Sequence, residues 1–487
     1  MTVYHRFFLR PFQEEKKKEA SKSSLSHSTV EDLSPIPNPR SPSSTPAAMA
    51  APASDSIPIP DELLEEVLLR LPTLNALALA SAACTSFRRV IKGRAFRRRF
   101  RALHRPPLLG FIDAAGFRPT EAPHPSAPLA GALAPFAADF SFVPVPAVVS
   151  SSCSHHPPGE GPRWRPRDVR DGRVLLHWIS LHHCTINNWG YSEELISLNG
   201  DYDDGVRTKR ERCNAAKVHL AVCHPLSRRY VLLPTIPEYL AAQPQDRLWA
   251  FEPVLAPATG DHGEEEPFKV ICFARYRKKF VLFVFSSTAS EQWSMVESPS
   301  SFLSLERMSC FDCVRDCFYW TAPYHWSDHL MVLDTRTMRF STVDLLTGCH
   351  QGIIDLDDQM FRLRRPNAVV AGRQGALEMF SLVRQHGSFA LYHTSLQNNS
   401  QEWKLEKIVQ LPDQYDGYSV STAGAAEGFL FFQGAPEGHP VEHVDCYSME
   451  VKTYEITKVC SKLVDFSNQK RALPYFSFPS VLSEPTI

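Results

Sequence analysis

Hydrophobic positions between Ile57 and Ile91 follow the period of an α-helix. In the first segment, behind Pro60, leucine and valine recur every three or four residues, so one side of a helix is apolar. Proline suits the first turn of a helix, and Pro72 ends this one. Two further apolar segments, which carry Leu77 and Val90, predict two more short helices. The apolar stripe of the first helix consists of Leu63, Leu64, Val67, Leu68 and Leu71.

A strongly basic stretch follows at residues 94–105. Phe96, Phe100 and Leu103 recur at helical spacing within it, which predicts a fourth amphipathic helix. A basic run of this kind can serve nuclear import or nucleic-acid contact. Because the apolar period is intact, the sequence favours a helix with a solvated basic face. Residues 56–105 are therefore predicted to form one small helical domain.

From Asp171 onward the pattern changes to short runs of β-branched and aromatic residues between turn residues. No long helical period separates these runs, which argues against βαβ units. The sequence therefore predicts an all-β domain at residues 171–487. Strands are predicted at Val174–Trp178, Val218–Cys223, Tyr230–Leu233, Lys269–Phe273, Phe280–Phe285, Leu330–Leu333, Phe380–Val383, Phe389–Tyr392 and Phe429–Phe432.

A weak repeat accompanies the strands. A polar hexad that ends on an aromatic residue recurs at the turn before a strand, as in Pro225–Tyr230 and Thr335–Phe340. The closing aromatics are Tyr230, Trp293, Phe340, Trp403 and Tyr454, spaced 63, 47, 63 and 51 residues apart. Strand-only repeats of about 50 residues are typical of propeller blades, so the sequence predicts a propeller of about six blades with these aromatics in its core. A β-sandwich is the alternative.

The segments outside these two domains differ in composition. Residues 1–55 are rich in Ser, Pro and Lys and are predicted to be disordered, with Met49 as an alternative start. Residues 106–170 are rich in Pro and Ala and are predicted to hold a linker and the first strands. Within the all-β domain, the polar insertions Asn199–Arg212 and Ala256–Pro267 are candidates for substrate contact.

Charge, hydrophobicity and cysteine content restrict the cellular compartments in which the protein is expected. Lysine and arginine number 52 against 53 acidic residues, which gives no general attraction to nucleic acid or to a membrane. No apolar run approaches the ~18 residues of a membrane span, and the N-terminus lacks the apolar core of a secretory signal. Twelve scattered cysteines are then expected to be reduced thiols. The expected location is cytoplasmic, nuclear or both.

Two groups of Cys and His residues are candidates for a metal or catalytic site. Cys310, Cys313, His325 and His329 have nearly the spacing of a zinc finger, but the flanking patterns indicate strands rather than a helix. In the second cluster, residues 182–184, strand geometry would point neighbouring side chains of the His-His-Cys run to opposite faces. The sequence shows no nucleophile elbow and no phosphate-binding loop. We therefore predict no catalytic residue, metal or cofactor.

The helical domain resembles an F-box. The residues that match the family pattern are Pro60, Leu63, Leu64, Val67, Leu68, Leu71, Pro72, Leu77, Cys84 and Phe87. The pattern differs at Ile59 (usually Leu), at Ala83 (usually Val) and at Phe87 (usually Trp), all within apolar chemistry. The resemblance implies that these ten residues bind the Skp-family adaptor subunit of an SCF-type ubiquitin ligase, which in turn binds a cullin.

The all-β domain resembles the kelch-like propeller domain that follows the F-box in many plant proteins. The stretches that carry this resemblance are Val222–Pro234, Lys279–Ser287 and Leu333–Phe340. Together the two resemblances imply an α-helical domain followed by an all-β domain, in a non-catalytic adaptor whose propeller binds a target protein. A propeller hydrolase or lyase, such as a glycosidase or lactonase, and a scaffold without a ligase are the alternatives.

Overall fold

The computed structural model describes most of the chain between residues 59 and 478. The predicted disordered tail at 1–55 lies outside the described residues. The described ranges are 59–71, 74–113, 116–137, 139–146, 163–179, 215, 218–241, 248–257, 268–276, 279–287, 292–298, 312–320, 329–349, 352–353, 368–372, 375–437, 443–463 and 473–478.

Four short helices precede the first described strand. They are α1 (Asp61–Leu69), α2 (Leu74–Ala83), α3 (Thr85–Lys92) and α4 (Arg94–Leu103). Pro60 begins α1, and its carbonyl accepts the amide of Leu64 at 3.1 Å. Cys84 and Gly93 have extended backbones, which separates α3 from its neighbours. The helices enclose one core, formed by Leu64, Leu68, Leu69, Leu77, Val90, Ile91, Phe96, Phe100 and Phe478.

The described strands form six antiparallel sheets, which we number as blades along the chain. Blade 1 contains β1 (Leu108–Asp113), β2 (Gly116–Pro119) and β23 (Pro474–Phe476). Blade 2 contains β3 (Arg163–Arg170), β4 (Arg173–Ile179), β5 (Leu220–His224) and β6 (Arg229–Leu232). Blade 3 contains β7 (Leu248–Pro257), β8 (Phe268–Tyr276), β9 (Phe280–Ser286) and β10 (Trp293–Glu297).

The last three blades have the same order of four strands. Blade 4 contains β11 (Asp312–Val314), β12 (Cys317–Trp320), β13 (His329–Asp334) and β14 (Arg339–Asp344). Blade 5 contains β15 (Ala368–Ala371), β16 (Leu377–Gln385), β17 (Ser388–Leu396) and β18 (Trp403–Gln410). Blade 6 contains β19 (Tyr418–Ala426), β20 (Phe429–Pro436), β21 (His443–Glu450) and β22 (Ile456–Leu463). In each of blades 2–6 the first strand is innermost.

Buried side chains from consecutive blades share a hydrophobic cluster, and the last blade packs on the first. Representative pairs, from blades 1 and 2 round to blades 6 and 1, are Tyr475 with Val174, Val222 with Val270, Phe273 with Phe318, Leu330 with Met379, Phe380 with Leu430, and Phe431 with Phe111. The rings of Phe111 and Phe431 meet edge to face at 5.5 Å. The sheets therefore close into a six-bladed β-propeller, which confirms the predicted fold class.

Blade 1 joins the two ends of the propeller. The C-terminal strand β23 pairs with β1, with Leu108 opposite Phe476. Gly110 lies in this ladder, and a Cβ at that position would overlap the Arg118 carbonyl of β2. On the outer side of the blade, helix α5 (Ala127–Ala137) and Val143 pack into the cluster shared with blade 2. Closure therefore depends on strands that are more than 350 residues apart.

Buried aspartates hold the innermost strands together. Asp312 of β11 accepts the amide of Val369 in β15 at 2.8 Å and the amide of Ala425 in β19 at 3.0 Å. In the same way, Asp168 of β3 accepts the amide of Leu255 in β7 at 2.8 Å. A carboxylate that accepts backbone amides satisfies donors that would otherwise be buried without a partner.

Two sequence predictions need correction. Residue 171, proposed as the start of the propeller, is the turn between β3 and β4, and β1–β3 already belong to blades. Pro and Ala content obscured these strands, and one of them, β1, also pairs with a segment distant in sequence, β23. Tyr230, predicted to be core, is 41% exposed. It is the second residue of the outer strand of blade 2, and in the described residues the preceding blade has three strands instead of four.

Two further observations concern the cysteines and the helices of the described residues. The eight cysteines within the described ranges are free thiols. Among the helices that the structure describes, none combines the length and the apolar character that a membrane crossing requires.

Candidate functional site

Helix α1 exposes an apolar row beside its buried one. Ile59, Leu63 and Val67 are 63%, 59% and 58% exposed, whereas Leu64 and Leu68 are 6% and 2% exposed. Leu63 and Val67 are four positions apart in α1, so they share one side of the helix, and Ile59 lies just before its first turn. Leu79 of α2 is exposed as well. Exposed aliphatic side chains in a row are typical of a protein contact surface.

The structure divides the ten predicted adaptor-binding residues into groups. Leu63 and Val67 lie in the exposed row, and Pro60 is also exposed. Leu71, Cys84 and Phe87 are half-buried, and Pro72 lies outside the described residues. Leu64, Leu68 and Leu77 are buried in the core of the helices. Helical spacing alone could not separate the two sides of α1, because both are apolar.

Exposed Leu79 was not predicted. It lies in a segment rich in Leu and Ala, where no polar side marks the solvent-facing positions of α2. Ile59 was noted only as a departure from the family pattern, yet it heads the exposed row.

Ion pairs fix the orientation of α1 on the other helices. Asp61 accepts two hydrogen bonds from Arg89 of α3, at 2.8 and 2.9 Å. Arg99 of α4 pairs with Glu65 at 2.9 Å and also with Glu66. The hydrogen bond and charge of Arg99 lower the pKa of Glu66. One arginine of the basic run is therefore engaged in holding α1, so that the apolar row faces away from the helical core.

The two ends of the propeller differ in their surroundings. Leu108, where the chain enters β1 from the helices, pairs with Phe476 at the end of β23. Asp168 of β3 and Leu255 of β7 are joined by a hydrogen bond, and both lie near the C-terminal ends of their strands. The innermost strands therefore run in the same direction. We call the end where these strands finish the near end, because the helices adjoin it, and the opposite one the far end.

Three of the connections at the near end are very short. Two residues join the first and second strands of blade 2 (171–172), blade 4 (315–316) and blade 6 (427–428). The link after α4 and the C-terminal segment adjoin two of these turns, since Arg105 lies against Gly428 and Ser477 lies against Gly172. This end of the ring is therefore partly covered by the helical domain and the C-terminal segment.

Some connections join two strand ends that lie at the same end of the ring. The longest of these connections are at the far end. Forty residues separate Ile179 of β4 from Leu220 of β5, and 23 separate Asp344 of β14 from Ala368 of β15. The predicted insertion Asn199–Arg212 belongs to the first of these and lies outside the described residues. The other, Ala256–Pro267, begins inside β7 and continues into a near-end connection whose remainder is not described. The described strands that flank the first insertion meet the far end, and β7 and β8 meet the near end.

A buried Glu–His–Tyr chain links blades 5 and 6. His393 lies 3.0 Å from Glu378 through Nε2 and 2.9 Å from the Tyr454 hydroxyl through Nδ1. Its ring stacks on Phe380 with centroids 4.4 Å apart. Both ring nitrogens of the histidine are thus already engaged within the chain. The arrangement ties Tyr454, a predicted repeat aromatic, to the neighbouring blade.

The zinc candidate is split among separate elements. Cys313 lies on β11 and His329 on β13, with β12 between them. Strand β12 pairs with both β11 and β13, and in these pairings His329 lies four residues away from the position level with Cys313. Their Cα atoms are therefore roughly 15 Å apart. Cys310, His325 and residues 182–184 lie outside the described residues. In the part of the chain that is described, no three His, Cys, Asp or Glu side chains are grouped as metal ligands.

Comparison with known structures finds matches with little sequence similarity, among them two named β-propeller domains. The β-propeller domain of the Trilobed protease from Pyrococcus furiosus is 11% identical, with a TM-score of 0.27 over 59% of this chain and 66% of that one. The leech intramolecular trans-sialidase is 11% identical, with a TM-score of 0.28 over 52% and 37%. The Nup133 β-propeller domain of Vanderwaltozyma polyspora is 6% identical, with a TM-score of 0.25 over 50% and 81%. Scores this low carry no argument about this chain.

Comparison with sequences gives one match of a different kind. No curated protein matches the chain. Residues 59–99 match the F-box domain family. This range begins at Ile59, the first residue of the exposed row, and extends through α1, α2, α3 and most of α4. The chain therefore contains an F-box domain at residues 59–99, which is followed by a six-bladed β-propeller.

Proposed function

We propose that this chain is the substrate-recognition subunit of an SCF-type ubiquitin ligase. The exposed row of α1, within the matched F-box domain, carries the proposal. Ile59, Leu63 and Val67 would be buried against a Skp-family adaptor, with Leu79 contributing from α2. The adaptor would connect the chain to a cullin. Predicted contacts at Pro60, Leu71, Pro72, Cys84 and Phe87 would lie around this row, while Leu64, Leu68 and Leu77 would support it from within.

In this role the chain performs no bond chemistry of its own. The propeller would hold a target protein, and the ligase would carry the ubiquitin-charged enzyme. Binding both to one assembly raises the effective concentration of target lysines near the reactive thioester. The far end of the ring suits target binding, because the F-box domain adjoins the near end. The kelch-like and plant-type character of the propeller stays a prediction from sequence.

The adaptor contact can be tested by charging the exposed row. In the double variant Leu63→Arg with Val67→Arg, adaptor binding would bury two unpaired charges, each of which costs several kcal/mol. We expect adaptor affinity to fall by at least about 1000-fold, which corresponds to roughly 4 kcal/mol. Co-purification and titration calorimetry with a Skp-family adaptor measure this, and the melting temperature should stay within about 2 °C of the parent.

Two controls complete the test. Leu405→Arg with Ile408→Arg charges similarly exposed positions on the outer strand β18, and should leave adaptor binding intact. Leu68→Arg charges the core of the F-box, and should lose the adaptor through unfolding of the helices. Normal adaptor binding by the Leu63 and Val67 double variant would refute the proposal.

A further inference from the structure

The chain's C-terminal segment completes the F-box core. Phe478 is 7% exposed and belongs to the same cluster as Leu68, Val90 and Phe96. Its ring meets Phe100 of α4 edge to face, with centroids 6.2 Å apart. About 380 residues separate Phe478 from this helix in sequence. A residue that follows the propeller strands in the chain therefore fills part of the helical core.

Two residues earlier, the same segment belongs to the propeller. Phe476, the last residue of β23, packs on Phe429 and Phe431 of blade 6 at 6.0 and 6.1 Å. Between the two aromatics, Ser477 is buried and its amide lies 3.4 Å from the carbonyl of Pro107, in the link from α4 to β1. The segment is therefore held on both sides, by the ring and by the connection to the helices.

The helices need this contribution because their own core is small. Domains near 40 residues bury too little apolar surface to be stable without additional support. A buried phenylalanine is among the largest single contributions to such a core, and removing one typically costs several kcal/mol. Among the described residues of this cluster, Phe478 is the one that comes from outside 59–103 in sequence.

We propose that Ser477–Phe478 couples closure of the propeller to folding of the F-box. The helices reach their native core when β23 is seated in blade 1, because seating β23 delivers Phe478 to Phe100. A chain whose ring is open would then present a loosened F-box. If the adaptor role proposed above is correct, such a chain would also bind the adaptor poorly, so incomplete propellers would be excluded from the ligase.

Hydrogen exchange on the full-length protein tests the coupling without any adaptor. Phe478→Ala should speed amide exchange in α1–α4 by at least about tenfold, while amides of β13 and β14 in blade 4 keep their rates. Phe478→Leu, which keeps most of the apolar volume, should restore most of the protection. Phe136→Ala, at a half-exposed position of α5, is the matched control and should change neither region.

Phe476→Ala distinguishes coupling from a purely local packing role. It leaves Phe478 in place but loosens β23 on blade 6, so under the proposal exchange in α1–α4 should again rise. Unchanged exchange in α1–α4 for either alanine variant would overturn the proposal. Should Phe478→Ala fail to fold, Phe478→Val replaces it, with the same expected direction. Adaptor binding is measured in parallel, and a parent protein that does not bind it would refute the adaptor role while leaving the exchange result valid.

Discussion

His224 is buried where blade 2 meets the C-terminal segment. The side chain is 3% exposed, next to Gly172 and near Ser477. Burial, together with the positive charges of Arg173, Arg101 and Arg229, lowers the pKa of His224 to about 4. Arg101 belongs to α4, so the helical region contributes to this environment. A neutral imidazole is thus required in the folded state at a position that connects the two domains.

Acid should therefore destabilise the protein through His224. Between pH 6.5 and about 4 the unfolded chain binds a proton that the folded chain does not, so stability falls as the pH falls through this window. The expected loss from this residue between pH 7 and pH 5 is about 2 kcal/mol. Urea unfolding of the parent and of His224→Gln at both pH values measures it.

The His224→Gln variant should lose less stability than the parent when the pH is lowered from 7 to 5, whatever its stability at pH 7. His443→Gln is the matched control, since His443 is exposed at the start of β21 and its loss should leave the pH dependence unchanged. An equal loss of stability in parent and His224→Gln would contradict the prediction.

At the scale of elements, two repeat tryptophans have the same role in different blades. Trp293 begins the outer strand of blade 3, and its indole N–H donates to the Pro234 carbonyl after β6 of blade 2, at 2.7 Å. Trp403 begins the outer strand of blade 5 and donates to the Asp344 carbonyl at the end of β14 of blade 4, at 2.8 Å. Each of the two tryptophans thus joins the outer strand of its blade to the end of the preceding one.

The repeat aromatics should therefore differ in their contribution to stability. Trp293→Ala and Trp403→Ala should each destabilise the propeller by about 3–5 kcal/mol, because they remove a large buried side chain and its hydrogen bond. Tyr230→Ala, at the exposed equivalent position in blade 2, should cost less than about 1 kcal/mol. Urea midpoints of the three variants measure the difference, and equal costs would show that the repeat position alone decides the effect.

At the scale of the whole molecule, the two ends of the ring are predicted to divide two binding tasks. The F-box adjoins the near end, where most turns are short, and the longest returning connections lie at the far end. A target held at the far end would not compete with the helices for the same surface. The division follows from strand direction, since the innermost strands finish at the end of the ring that the helical region adjoins.

Shortening the two predicted insertions tests this division. Replacing residues 199–212, in a far-end connection, by a short Gly-Ser linker should keep adaptor binding and remove target proteins recovered by affinity mass spectrometry. The same replacement of residues 258–267, in a near-end connection, is the matched control and should keep both. Loss of targets only in the second variant would place recognition at the wrong end and contradict the prediction.

The sequence by itself determined the local elements. The nine predicted strands coincide with observed strands, and the four helices lie in the predicted helical region, because hydrophobic periods of 2 and 3.6 residues depend on neighbours in the chain. The F-box pattern was recognisable for the same reason. The repeat of closing aromatics was sufficient to predict a propeller, although it placed Tyr230 wrongly in the core.

Only the tertiary structure decided which residues face which partner. Leu63 and Leu68 are both leucines on one helix, and their exposure differs because Phe100, Val90 and Phe478 cover one side of α1. The closing blade and the F-box core each combine residues from the two ends of the described chain, as in Leu108 with Phe476. No local period records such a contact, because its stability comes from burial between segments that hundreds of residues separate.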